Sequence, residues 1–234
     1  MTAALRGEWV KLRTAPAGLA VTLLLAAGLT AAGAALGGGD AIDPVQLRLL
    51  GVRLGQAAVA AAGVQLIAGE YGTGLIRMSL LAVPRRTHLL AAKATLLTAG
   101  VLPVAVLGVG IAVLTLPPSG PLFRAAAESI LYLILIGLLG LGVGAAVRGS
   151  AAAVGIVLAL LYLMPILLQM IPDPDWQRAL YRLTPATAVQ VIATTVDAAA
   201  LPIGPWPALG VVAAWTVFAL AIGVFTLHRR SAIR

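Results

Sequence analysis

Residues 125–171 read AAAESILYLILIGLLGLGVGAAVRGSAAAVGIVLALLYLMPILLQMI. Two apolar runs, 125–147 and 151–171, stand on either side of Arg148-Gly149-Ser150. Each is close to the roughly 20 residues that a helix needs to cross a bilayer core about 30 Å thick. With so short a link the two helices must run antiparallel, as a membrane hairpin. The composition agrees with that reading. Of 234 residues, 61% are hydrophobic and 10% are charged, against roughly 25% charged in an ordinary globular domain. Mean hydropathy is +1.03. So few charges cannot cover a water-soluble surface of this size, and the apolar excess has to face lipid. The absence of cysteine excludes a disulfide framework, a thiolate metal site and a cysteine nucleophile.

Working outward, the same criterion marks 16–38, 49–68, 89–116 and 207–227. The expectation is an all-α polytopic membrane protein, a single domain over 1–234 with six transmembrane helices. Gly37-Gly38-Gly39-Asp40 with Asp43-Pro44 breaks the first span from the second, and Pro117-Pro118-Ser119-Gly120-Pro121 breaks the third from the fourth. Pro103 and Pro165 predict kinks within their spans. Gly33 with Gly37, and Gly140 with Gly144, fit the small-residue spacing that lets helices pack closely.

Cytoplasmic connections carry the excess of Lys and Arg, which fixes the orientation. With the N-terminus inside, Arg6, Lys11, Arg13, Arg77, Arg85, Arg86, Lys93, Arg148, Arg229, Arg230 and Arg234 fall on the cytoplasmic side, eleven of the 16 basic residues. Glu8 and Glu70 are the acidic residues beside them. Outside, Arg48, Arg53, Arg124, Arg178 and Arg182 meet Asp40, Asp43, Glu128, Asp173, Asp175 and Asp197. Both termini are expected inside. The net charge of +8 is thus distributed by topology, not gathered on a nucleic-acid-binding face. The first apolar run is long for a signal peptide, so the basic leader is read as part of the protein.

Three segments should not span. Residues 2–14 put Leu5, Trp9 and Leu12 on one face flanked by Arg6, Lys11 and Arg13, which is either an interfacial helix or a charged flank that sets topology. Leu75 to Val83 rises only ~13.5 Å as a helix, too short to cross. Glycines at 69, 72 and 74 precede it and Pro84-Arg85-Arg86 follows. A short apolar helix held on the inner side needs cover, from a partner with a groove or from the membrane surface. On the outer side, Trp176 to Leu183 and Ala186 to Ala200 look helical, and they either cap a pathway or pad the outer face.

Polar residues within spans are costly and mark an interior or a cavity. Arg53, Gln56 and Gln65 in the second span are the candidates for a pathway or a subunit interface, although Arg53, within about a turn of the outer boundary, is read first as snorkelling to the headgroups. Gln169 and Lys93 are read as residues that snorkel at the ends of their spans. Catalytic chemistry is not expected. Lys11 and Lys93 lack the glycine-rich context of a P-loop, so this chain should not hydrolyse ATP, and His88 and His228 cannot make an HExxH zinc site. No carboxylate is expected at membrane depth, which argues against ion coupling.

The run Gly69-Glu70-Tyr71-Gly72-Thr73-Gly74, with Leu80-Leu81, Pro84, Arg85-Arg86 and Lys93, resembles the signature segment of type 2 ABC transporter permeases. The Glu8-Trp9-x-Lys11-Leu12-Arg13 leader, the six spans and the long last outer connection are similar to that family over the whole chain. The resemblance implies a connecting helix at 1–15, a coupling helix at 70–84 and outer re-entrant helices within 172–206. It implies that Glu70, Gly72, Thr73, Leu75, Arg77, Pro84, Arg85 and Arg86 couple the chain to a separate ABC ATPase. Two ATPase copies would carry ATP and Mg, and this chain would hold no cofactor. It also implies a homodimer or heterodimer of permeases in a bacterial plasma membrane, most often exporting. The three-residue inner connection at Arg148-Gly149-Ser150 is short for that family. A membrane scaffold or immunity protein, or a stand-alone carrier, remains the alternative.

Overall fold

The computed structural model describes residues 17–36, 43–72, 86–114, 116–147, 149–196 and 201–229. Among these all regular structure is helical. Helix α1 (Ala17–Ala31) and the single turn α2 (Gly33–Leu36) lead to α3 (Pro44–Arg48) and the long α4 (Leu50–Gly72). Helices α5 (Arg86–Val113) and α6 (Gly120–Val147) follow. The next crossing is composite: α7 (Ser150–Leu158), a π-helical stretch at Ala159–Leu163, and α8 (Met164–Gln169). Two helices on the side expected to lie outside, α9 (Pro174–Leu183) and α10 (Pro185–Ala193), precede α11 (Pro205–Arg229).

Five of these crossings are long and apolar enough to span a membrane. Their length and composition identify a multi-pass helical membrane protein. The sixth expected crossing is shorter over the described residues: fifteen residues of α1 rise about 22 Å. The expected leader helix at 1–15, the segment 73–85 and Arg148 lie outside the described residues. Glu70 and Gly72 do not open a turn as the glycines suggested, because α4 runs on through Gly72 and places both on its last turn.

Helix α6 is the hub, packed against α4 and α11 most extensively and also against α5, α7 and α10. The glycines explain why. A Cβ on Gly63 would lie 2.0 Å from the Gly137 carbonyl oxygen, and one on Gly140 would lie 2.3 Å from the Ala60 oxygen. The α4 and α6 backbones therefore touch. Gly142 and Gly223 play the same part between α6 and α11. At the opposite end α1 and α2 pack on α3 and α4 through Gly33, Gly51 and Gly55, with buried Thr30 filling the space between Gly55 and Gly108 of α5. In a bilayer, where lipid is as apolar as leucine, such close backbone approach is a main source of helix association.

Pro165 has no N–H to give the carbonyl one turn before it, and its ring crowds that carbonyl. The preceding turn widens into the π-helical stretch at Ala159–Leu163. Pro103 sits within α5, which continues through it.

Candidate functional site

At the end expected to lie inside, Lys93 does not snorkel. Its side chain is 1% exposed, and its ammonium donates to Glu70 Oε1 at 2.8 Å and to the Leu66 carbonyl at 3.1 Å. The correction has a plain cause. Lys93 faces α4 and not lipid, and a carboxylate with a backbone carbonyl meets its charge more fully than distant headgroups would. Glu70, picked out as a coupling residue, thus bridges the second and third spans on both sides of the 73–85 connection. Of the other residues expected to couple, Gly72 ends α4 and Arg86 begins α5. Thr73, Leu75, Arg77, Pro84 and Arg85 lie outside the described residues.

At the outer end the helices converge on a polar chamber. Arg53 stands in the first turn of α4 and Gln56 one turn deeper, where it is 1% exposed. The Tyr132 hydroxyl of α6 donates to Gln56 Oε1. The Tyr162 hydroxyl, carried on the π-helical stretch, donates to the Arg53 carbonyl and also lies against Gln56. Tyr181 of α9 donates to Gln190 Oε1 of α10 at 3.3 Å. Arg53 is close enough to interact electrostatically with all three tyrosines. Two cavities adjoin there and share Gln190. One, of about 80 Å³, is lined by Arg53, Gln46 and Gln190 with Leu49, Val189 and Ala193. The other, of about 260 Å³, is lined by Gln169, Gln177, Arg178, Tyr181 and Thr187 against Pro165, Leu168 and Pro202. Gln65 is not part of this chamber. It sits about 13 Å further along α4, exposed, accepting from the Thr22 hydroxyl of α1 at 3.3 Å.

A second network fastens the outer helices over the spans. Asp43 Oδ2 accepts from the N–H groups of Thr195 and Val196 at 2.6 and 3.0 Å. Its Oδ1 accepts from the Thr195 hydroxyl and the Gln46 N–H. Gln46 Nε2 donates to the Thr194 hydroxyl, and Arg124 donates to the Thr194 carbonyl at 3.0 Å. These bonds hold Thr194 extended, which is why the helix expected over 186–200 stops at Ala193. Arg124 also pairs with Glu128 at 2.6 Å. Glu128 corrects a further expectation: this carboxylate lies about 12 Å inside α6, fully buried, and its Oε1 has no hydrogen-bond partner among the described residues.

Burial alone would push the Asp43 carboxyl up, but its backbone and hydroxyl donors outweigh that and hold it below the ordinary 3.8. A carboxyl lowered in the folded state stabilises fully above its unfolded value, and that contribution drains as pH falls through the folded one. The thermal unfolding midpoint of the detergent-purified protein should therefore drop as pH is lowered below about 3.8, relative to Asp43→Asn, in which this component is absent. At neutral pH Asp43→Ala, which takes the acceptor from three backbone N–H groups, should cost about 1–3 kcal/mol. An equal midpoint for Asp43→Ala and wild type would refute the tether.

Sequence reasoning reached Arg53 and Gln56 but not the tyrosines around them. The signal was available: Tyr132 and Tyr162 fall in mid-span, away from the interfacial belts where tyrosine ordinarily sits. A hydroxyl at that depth needs a polar partner. The chain matches no protein-family model and no curated protein.

Proposed function

We propose that the chain is the membrane-spanning permease of an ATP-binding-cassette transporter of the type 2 kind, an exporter in a bacterial plasma membrane, driven by a separate ATPase. The observation that carries this reading is the buried Glu70–Lys93 bridge. The inner connection 73–85 leaves α4 two residues after Glu70 and enters α5 at Arg86, seven residues before Lys93. The bridge fastens the two spans at the point where that connection joins them. A push delivered there moves α4 and α5 together, and α4 carries α6 through their backbone contact.

Two permease copies, identical or different, would place the pathway between them and rock between inward- and outward-facing states as two ATPase copies close on ATP and Mg. Helices α9 and α10 would follow the spans through Asp43, Arg124 and the Trp215 indole, which donates to the Leu183 carbonyl at 2.9 Å.

The test is co-purification with an ATPase encoded beside it, followed by nanodisc reconstitution. The permease is expected to hold the ATPase at equal stoichiometry and change its ATP turnover. Arg85→Glu should release the ATPase while the permease inserts and unfolds as before. A permease that binds no ATPase, or that moves cargo in vesicles without nucleotide, would defeat the proposal.

A further inference from the structure

Arg53 is a half-buried charge that the outer networks leave without a counter-ion among the described residues. No carboxylate pairs with it among the described residues. The acidic side chains described on that side are engaged elsewhere. Asp43 holds Thr195, Val196 and Gln46. Glu128 holds Arg124, and Asp175 holds Arg178 at 2.6 Å. Asp173 caps α9 through the Asp175 and Trp176 N–H groups. A guanidinium stays ionised, and half-buried between α4 and α10 it calls for an anion.

What surrounds it describes that anion. Gln190 accepts from Tyr181 through Oε1, which leaves its Nε2 as a donor beside both cavities. Arg178, Gln177 and Thr187 line the larger cavity, and Pro165, Leu168 and Pro202 give it an apolar wall. Arg53 is about 4.5 Å from the start of α4, its carbonyl within reach of the Tyr162 hydroxyl. A fork of donors suits phosphate oxygens, and the apolar wall suits what a headgroup is attached to. We infer that this outer chamber binds a phosphate group, with Arg53 as its charge partner and Gln190 and Tyr181 as its polar wall. The site is a property of this chain alone, and its measurement needs no ATPase, so it stands or falls separately from the permease reading.

The experiment measures binding of a fluorescent short-chain phosphatidylglycerol to the full chain in a neutral maltoside detergent, with inorganic phosphate as competitor. Arg53→Gln should weaken binding about tenfold or more. Arg53→Lys should fall between Arg53→Gln and wild type, and Arg182→Gln, which removes an exposed outer charge, should change nothing. Displacement by millimolar phosphate would identify the free anion as sufficient; no displacement with the Arg53 dependence intact would identify the lipid headgroup. Equal binding by wild type and Arg53→Gln overturns the inference, as does an equal loss in Arg182→Gln. Should Arg53→Gln not fold, Tyr181→Phe and Gln190→Leu must each weaken binding severalfold, and unchanged binding in either overturns it.

Discussion

Replacing Glu70 with alanine is expected to cost about 3–5 kcal/mol, because it takes the carboxylate away from the Lys93 ammonium in a site where 1% of that side chain meets solvent. The Leu66 carbonyl remains as a partner but carries no full charge. Lys93→Met should cost less, since Glu70 is 11% exposed and nearer the end of its helix. The double variant Glu70→Gln with Lys93→Met should recover much of the loss, as neither charge is then left buried alone. Thermal unfolding in detergent, arranged as a double-mutant cycle, reads the coupling directly. An unchanged midpoint in Glu70→Ala would mean that the bridge does not hold α4 to α5, and the proposed route of force from 73–85 into the spans would lose its support.

The α4–α6 contact gives the second large effect. A methyl group on Gly63 would be driven to 2.0 Å from a backbone oxygen, and no side-chain rotation can relieve that. Gly63→Ala should cost about 3 kcal/mol or more, at the upper end of overpacking, and Gly63→Leu should prevent assembly of the bundle. Gly140→Ala should behave like Gly63→Ala. Gly155 is the control: a Cβ there meets nothing within 4 Å, so Gly155→Ala should be neutral or stabilise by up to about 1 kcal/mol. Midpoints for Gly63→Ala and Gly155→Ala that differ little would show that the two helices are not in backbone contact.

The spans were legible because an apolar run of membrane length has few other folds open to it. Helices α4, α5, α6 and α11 and the α7–α8 crossing all fall where those runs predict, within a turn or so at their ends. The proline signal in the fifth span was read as a kink, and the chain answers with a π-helical stretch. The candidate site was legible only in part. Arg53 and Gln56 stand out because polarity inside a span is conspicuous. Tyr132 and Tyr162 read as further apolar bulk until their hydroxyls are seen to meet Gln56 and the Arg53 carbonyl.

By itself, then, the sequence determined the medium and five of the six expected crossings, consequences of hydropathy counted along the chain. Tertiary structure alone decided which polar groups meet. Lys93 turns inward to Glu70, although the same residue at the end of a lone helix would reach for headgroups. The outer helix ends at Ala193 because Asp43, Gln46 and Arg124, distant in sequence, hold the Thr194–Val196 backbone extended. Periodicity reports which side of one helix is apolar. A hydrogen bond between residues some 150 positions apart depends on where two helices cross, and that is set by the glycines at which their backbones touch.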